Sequence, residues 1–138
     1  MTYLLDTNVI SEVCKRRPDD HVVAFFESVK SADLFISVLT IGEIRAGIER
    51  LRRKDTDQAN ALDQWLAGLC ANYADRIINV DADIAHEWGR LNVPDPLPVI
   101  DGLLAATARS RGCTLVTRNV TDLGRCGVRL LNPFEPVA

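Results

Sequence analysis

Short apolar runs alternate with longer amphipathic segments along almost the whole chain, and this alternation limits the possible folds more than any other feature. The apolar runs that predict strands occupy residues 3–5, 34–38, 77–80, 114–117 and 128–131. The segments that predict helices occupy residues 8–15, 18–29, 40–54, 57–73, 81–91 and 99–110. Asp81 is the expected N-cap of the fifth of these helices, and Gly112 is expected to end the sixth. Strands that alternate with helices are typical of βαβ crossovers. We therefore expect an α/β fold with a central, mostly parallel sheet of four to five strands.

The length and composition fit one domain without covalent cross-links. The chain has 138 residues, of which 47% are hydrophobic and 25% are charged. A domain of about this size buries roughly two-thirds of the surface of its unfolded chain, which is enough for a core. The cysteines are widely spaced, which argues against a zinc site or a disulfide framework and favours buried or half-buried thiols: Cys14, Cys70, Cys113 and Cys126. We expect a single domain over residues 1–138.

No segment has the pattern of a membrane span or of a secretory leader. The longest apolar runs are far too short to cross a bilayer, and no basic stretch precedes an apolar one at the N-terminus. These features predict a cytoplasmic protein with no membrane partner. The basic residues other than Lys15, Lys30 and Lys54 are arginines, whose planar guanidinium suits phosphate or carboxylate, although a solvated surface explains them equally well. The net charge of −3 therefore neither indicates nor excludes a nucleic-acid partner.

Four acidic residues lie beside the ends of predicted strands or helices, namely Asp6, Glu43, Asp101 and Asp122. Each one has a purely structural interpretation. Asp6 follows the first strand and could cap the next helix. Glu43 completes a capping box that begins at Thr40, and Asp101 lies in a first helical turn, where an acid favours the helix dipole. Residues 119–122 also form an N-cap pattern with an acid at its third helical position.

The shared position of these acids favours a functional interpretation. All four fall at one predicted edge of the sheet, and ligands of open α/β sheets bind outside the carboxyl ends of the strands. Two carboxylates ~4 Å apart repel each other by about 4 kcal/mol at an effective dielectric near 20. A hard divalent cation such as Mg²⁺ or Mn²⁺ prefers carboxylate oxygens and would offset this repulsion. The pattern therefore predicts a metal site that could activate water against a phosphodiester.

Other functional classes lack the residues that they require. The chain contains neither a glycine-rich nucleotide-binding loop nor a G-x-S-x-G elbow, and His21 and His86 fall inside predicted helices. A signalling receiver domain also clusters acids in a parallel α/β fold, but it needs a late lysine, and no lysine follows Lys54. A non-catalytic metal-binding α/β module that binds RNA or a protein stays open as the alternative.

Four segments in the same order resemble the signatures of PIN-domain proteins, in particular the VapC toxins of type II toxin–antitoxin pairs and their FitB-like branch. The segments are Leu4-Leu5-Asp6-Thr7-Asn8, Val38-Leu39-Thr40-Ile41-Gly42-Glu43, Pro98-Val99-Ile100-Asp101-Gly102 and Thr117-Arg118-Asn119-Val120-Thr121-Asp122. The resemblance covers nearly the whole chain. Leu123 stands where an aromatic residue is common in the family, and Gly102 where Ala or Cys is common.

This resemblance implies an α/β/α sandwich and a Mg²⁺- or Mn²⁺-dependent endoribonuclease. It implies that Asp6, Glu43, Asp101 and Asp122 are both catalytic residues and metal ligands. Further support of the site or the substrate is expected from Thr7, Arg118 and Asn119. The resemblance also implies a homodimer, an RNA substrate, and a small cognate antitoxin through which the toxin binds operator DNA.

Overall fold

The computed structural model describes residues 1–136 and contains a parallel sheet, as the alternating pattern predicts. The strands of the described residues lie in the order β3-β2-β1-β4-β5, and every neighbouring pair is parallel. Their bounds are β1 Tyr3–Leu5, β2 Leu34–Ser37, β3 Ile77–Ile78, β4 Thr114–Val116 and β5 Leu130–Leu131. The helices are α1 Thr7–Val13, α2 Asp20–Ser28, α3 Val38–Arg52, α4 Thr56–Asn72, α5 Ala82–Leu91, α6 Val99–Arg111 and α7 Val120–Leu123.

Two hydrophobic cores, one on each face of the sheet, make the fold an α/β/α sandwich. Successive strand residues point to opposite faces. Leu5 and Val116 accordingly contribute to the core under α1 to α4, whereas Leu4 and Leu115 contribute to the core that contains α6 residues such as Leu104. This arrangement confirms the fold that the family resemblance implies. Among the described residues, no helix is both long enough and apolar enough to cross a membrane.

The start of α3 corrects the capping-box interpretation of Glu43. The N-cap is Ser37, whose Oγ accepts a hydrogen bond from the Leu39 amide at 3.0 Å, so that α3 begins at Val38 directly after β2. Thr40 lies inside the helix and is fully buried. Glu43 is therefore in the second turn of α3, and its carboxylate is not needed at the end of the helix.

Several other boundaries differ from the sequence predictions by a few residues. The N-cap of α2 is Asp19, so Pro18 precedes the helix and does not begin it. Cys14 is exposed, against the prediction that every thiol is at least half-buried. By contrast, Asp81 caps α5 as predicted, and Gly112 ends α6 with a left-handed φ of 68°.

The order of the strands determines which loops meet at the carboxyl edge of the sheet. The chain proceeds outward from β1 through β2 to β3 and then crosses to β4 on the other side of β1. In open parallel sheets, such a reversal of strand order is where ligands bind. The carboxyl ends of β1 and β4 therefore define the expected place for a site. The first turn of α6 lies at the same edge because α6 runs back along the sheet before β4 begins.

Candidate functional site

Asp6 lies at the carboxyl end of the central strand β1 and is only 5% exposed. Its Oδ1 accepts a hydrogen bond from the Thr7 amide at 2.6 Å and thereby caps α1. Its Oδ2 accepts hydrogen bonds from Thr117 Oγ1 at 2.7 Å and from Asn8 Nδ2 at 3.3 Å. Burial raises the pKa of Asp6, the Thr117 and Thr7 donors lower it, and the charges of Asp101 and Glu43 raise it further. Asp6 is thus a helix cap and also a member of a group of neighbouring acids.

Glu43 is joined to the same region by a side chain of α1. Thr7 Oγ1 donates a hydrogen bond to Glu43 Oε1 at 2.5 Å. The hydroxyl oxygens of Thr7 and Thr40 lie 3.4 Å apart, so both threonines support this junction between α1 and α3. The contact orients the half-buried carboxylate of Glu43 toward the end of β1, where Asp6 lies.

Asp101 is held by the loop that follows β4. Asn119 Nδ2 donates a hydrogen bond to Asp101 Oδ2 at 3.2 Å, and the Asn119 amide donates to Thr117 Oγ1 at 3.0 Å. Asn119 occupies the N-cap position of α7, as predicted, but its side chain makes no capping hydrogen bond to that helix. Asn119 instead supports the acid from α6, which is consistent with the supporting role predicted for it.

The side chains of Asp122 and Arg118 make no hydrogen bond to the grouped acids among the described residues. Asp122 lies exposed on α7, and no hydrogen bond or ion pair within residues 1–136 connects its side chain to the other acids. The guanidinium of Arg118 stacks on the Phe134 ring at 3.6 Å, while its backbone amide donates to Asn8 Oδ1 at 3.2 Å. The structure therefore groups three of the four predicted acids with Thr7 and Asn119. The roles of Asp122 and Arg118 stay predictions.

Thr117, Asn8 and Thr40 take part in the site without having been singled out from the sequence. Thr117 meets Asp6 because Leu5 pairs with Val116 in the parallel register of β1 and β4, which places the next residue of each strand side by side. Asp6 and Thr117 share one sequence feature, because each is a polar residue directly after one of two neighbouring strands. This feature predicts their contact only when the pairing of the strands is known.

The donor chemistry of the acids suits a hard divalent cation, although their side chains do not converge on one point. Within residues 1–136, no group of three or more acidic, histidine or cysteine side chains stands in an arrangement that could hold a metal ion. Each acid of the group instead accepts hydrogen bonds from threonine or asparagine. A cation would offset the repulsion that Asp101 and Glu43 exert on Asp6. It would have to replace or share those hydrogen bonds as the carboxylates turn toward it.

A groove of about 310 Å³ begins at this site and runs between α1, α3 and α4. Thr7 and Glu43 form its inner end, and its walls are mostly apolar: Ile44, Ile48, Leu62 and Trp65, with Ser11, Cys14 and Gly47. A second cavity, of about 560 Å³, lies between α2 and the C-terminal segment and includes none of the predicted site acids in its lining. This groove is thus a concave surface that is continuous with the site through Glu43.

The fold is an α/β/α sandwich with a parallel sheet, and the acids lie where the order of the strands reverses. This combination defines a class of α/β proteins whose site is at the carboxyl edge of the sheet. The chain belongs to the PIN domain family, whose model matches residues 3–122. The match ends at Asp122 and therefore includes all four predicted acids.

Relatives and solved structures agree over nearly the full chain. Toxin FitB of Neisseria gonorrhoeae is 30% identical over 139 residues, covering 96% of this chain and 98% of FitB. VapC ribonuclease Y4jK of Sinorhizobium fredii is 30% identical over 141 residues, with coverages of 96% and 98%. The crystal structure of FitAcB from Neisseria gonorrhoeae gives a TM-score of 0.90 at 29% identity and covers 98% of this chain and 100% of that one. A structure of FitAB bound to an IR36 DNA fragment gives 0.89 at 28% identity and 99% coverage of both chains.

Proposed function

We propose that this chain is the toxin of a type II toxin–antitoxin pair and acts as an endoribonuclease that hydrolyses RNA phosphodiester bonds. The observation that carries the proposal is the grouping of Asp6, Glu43 and Asp101 where β1 and β4 end. Burial raises the pKa of Asp6, and the charges of Asp101 and Glu43 raise it further, so the fold tolerates an unfavourably placed acid there, as functional sites commonly do. The similarity to FitB, named a toxin, and to Y4jK, named a ribonuclease, supports the same reading.

The proposed cofactor is Mg²⁺ or Mn²⁺, held by Asp6, Glu43, Asp101 and Asp122. When bound, such an ion lowers the pKa of a water molecule and offsets negative charge on a phosphodiester. The residues of this chain orient the acids: Thr117 and Asn8 hold one oxygen of Asp6, Thr7 holds Glu43, and Asn119 holds Asp101. Such supporting contacts commonly alter metal affinity or activity by about 10–100-fold when they are removed.

Neutral isosteres of the four acids test the proposal. We expect each variant to reduce the cleavage of short single-stranded RNA by about 100-fold or more in Mg²⁺ while it stays folded, because an amide cannot replace a carboxylate as a ligand of a hard cation. The variants are Asp6→Asn, Glu43→Gln, Asp101→Asn and Asp122→Asn.

Circular dichroism melts establish folding, and Glu27→Gln, an exposed position on α2, serves as the matched control. Wild-type activity in the Asp6 and Asp101 variants would refute the site. A wild type that binds metal and RNA without cleaving any RNA would favour the alternative of a non-catalytic module.

We further propose that a cognate small antitoxin inhibits the chain by lying in the groove between α1, α3 and α4. The groove offers apolar walls for an apolar segment, and its inner end opens at the acids, where a basic side chain could compete with metal. FitAB has been solved with a DNA fragment, which supports operator binding through the antitoxin. We expect the isolated chain to stop growth when expressed alone and co-expression of the antitoxin to restore growth.

Gly47 offers a direct test of the antitoxin site. It lines the groove, and nothing lies within 4 Å of an added Cβ, so Gly47→Gln should block the groove without straining α3. Gly68→Gln in α4 is the control, because its position is equally open but is not part of the groove lining. We expect the Gly47 variant alone to lose the antitoxin in a pull-down. Equal retention by both variants would place the antitoxin elsewhere.

The remaining proposals concern assembly and location. We propose that residues 1–138 act as a single PIN domain, that two copies form a homodimer, and that the protein is cytoplasmic and has no membrane partner. Light scattering coupled to size-exclusion chromatography measures the mass of the particle. A monomer at all accessible concentrations would contradict the dimer.

A further inference from the structure

The arginines of this protein divide into a large engaged set and a small unengaged one. The engaged arginines form ion pairs, hydrogen bonds or ring contacts within residues 1–136: Arg45, Arg52, Arg76, Arg90, Arg109, Arg111, Arg118, Arg125 and Arg129. The rest, Arg16, Arg17, Arg50 and Arg53, are exposed and make no such contact in this part of the chain. Their charges are therefore available to a ligand without the loss of an existing ion pair.

These unengaged arginines lie in only two places, at the ends of the two helices that border the groove. The α1 wall of the groove is Thr7, Ser11 and Cys14, and Arg16 and Arg17 follow directly. On α3, Arg50 is seven residues after Glu43, which places it on the same face and roughly 10 Å farther along the helix axis.

Three of the acids near these arginines in sequence have other roles. The Asp19 carboxylate accepts hydrogen bonds from the first amides of α2, and the Asp55 carboxylate accepts one from the Gln58 amide at the start of α4. The Glu12 carboxylate forms an ion pair with Lys15. The groove therefore begins at Glu43, and the two pairs of unengaged arginines lie outside its lining, at the ends of the helices that form two of its walls.

We propose that Arg16, Arg17, Arg50 and Arg53 bind the backbone phosphates of the single-stranded RNA substrate on one side of the bond that is cut. This inference rests on the proposed ribonuclease function and names the surface that recognises the substrate. The guanidinium group suits phosphate because its planar array of donors can form two parallel hydrogen bonds.

Electrostatics gives the reason why such a surface is needed. The chain has a net charge of −3, and the acids of the site add local negative charge where a phosphodiester has to bind. Nearby cations raise the local concentration of a polyanion and its rate of association with such a site. The half-buried ring of Trp65 in the wall between the two ends can stack against a base, and aromatic rings beside a cationic track are typical of surfaces that bind single strands.

The test measures the binding of a fluorescein-labelled single-stranded RNA to proteins that carry Asp6→Asn to prevent cleavage, over a series of salt concentrations. Each phosphate contact on a single strand contributes about 0.7 to the slope of log K against log salt. The double variants Arg16→Gln/Arg17→Gln and Arg50→Gln/Arg53→Gln should therefore each lower the slope by about 1.4. With an intact Asp6, the same pairs should raise KM and change kcat little.

Lys30→Gln is the matched control, since Lys30 is also exposed and without an ion pair in residues 1–136 but precedes β2, at the opposite edge of the sheet. A slope and a KM unchanged in both double variants would overturn the inference. The inference would also be overturned if the double variants lost binding of the antitoxin or of operator DNA but still bound RNA normally. That result would assign the arginines to those partners. Absence of cleavage by the wild type would overturn the proposed function. The slope of log K against log salt tests the phosphate contacts independently of cleavage.

Discussion

Replacing Thr117 by valine removes one hydroxyl group from the most buried part of the site and preserves the shape of the side chain. Thr117 is 0% exposed; its Oγ1 donates to Asp6 Oδ2 at 2.7 Å and accepts from the Asn119 amide at 3.0 Å. A hydrogen bond to a charged group contributes about 1.5–3 kcal/mol, and a neutral one about 0.5–1.5 kcal/mol. Because the bond to the carboxylate is the stronger of the two, we expect Thr117→Val to lower the free energy of unfolding by about 2–3 kcal/mol at neutral pH.

This loss of stability should depend on pH, since the hydroxyl stabilises the ionised form of Asp6. The pKa of Asp6 is raised from 3.8 mainly by burial. Folding therefore favours the protonated form of Asp6. The contribution of Asp6 to the free energy of unfolding is fully present below its unfolded pKa and is lost as the pH rises through its folded pKa. Thr117→Val removes a donor that lowers the folded pKa, so the folded pKa rises again and the loss at neutral pH becomes larger. The difference from wild type should be small near about pH 3, below the unfolded pKa, and should grow as the pH rises through the folded pKa of Asp6.

Urea denaturation in EDTA over this pH range measures the effect, with Thr107→Val as the control. Thr107 is also 0% exposed, but its hydroxyl donates to the neutral Leu103 carbonyl at 2.7 Å within α6. Its removal should cost about 1 kcal/mol at every pH. If the loss in Thr117→Val is equally independent of pH, the reasoning that the hydroxyl acts on a buried carboxylate is refuted.

Three further predictions follow from the metal site, the end of α6 and the exposed thiol. Mg²⁺ should raise the melting temperature of the wild type more than that of Asp6→Asn, because the variant loses a proposed ligand; equal shifts in thermal melts would mean that Asp6 does not hold the metal. Gly112→Ala should cost about 1–2 kcal/mol in urea denaturation because φ is +68°, whereas Gly124→Ala, at φ −60°, should change little; matching values would contradict the left-handed conformation. A thiol reagent should modify exposed Cys14 before buried Cys113. The reaction of Cys14 should become faster as the pH rises, because partial desolvation of its sulfur raises its pKa; mass spectrometry that finds Cys113 modified first would contradict this.

The local pattern of the sequence determined most of the secondary structure and the kind of residue that the site would contain. The alternation of apolar runs with amphipathic segments predicted the parallel sheet, and Asp81 and Gly112 marked the ends of two helices correctly. These signals are readable because a cap or a left-handed glycine acts on backbone groups within a few residues of itself. The order of the acids along the chain likewise placed Asp6 and Asp101 at the correct edge.

Only the tertiary structure decided whether a predicted acid caps a helix, takes part in the site, or does both. Spacing fits Glu43 as a helix cap or as a site acid, and the two roles are distinguished by the start of α3 at Val38 and by the contact with Thr7 Oγ1 from another helix. The contact of Thr117 with Asp6 joins residues far apart in sequence and exists because β1 and β4 pair in one particular register. Such contacts follow from the order and register of the strands, which depend on how the whole chain buries its two cores. No short segment contains that information, so the sequence predicted the acids and, through the family resemblance, Thr7 and Asn119, but not the contacts of Thr117, Asn8 and Thr40.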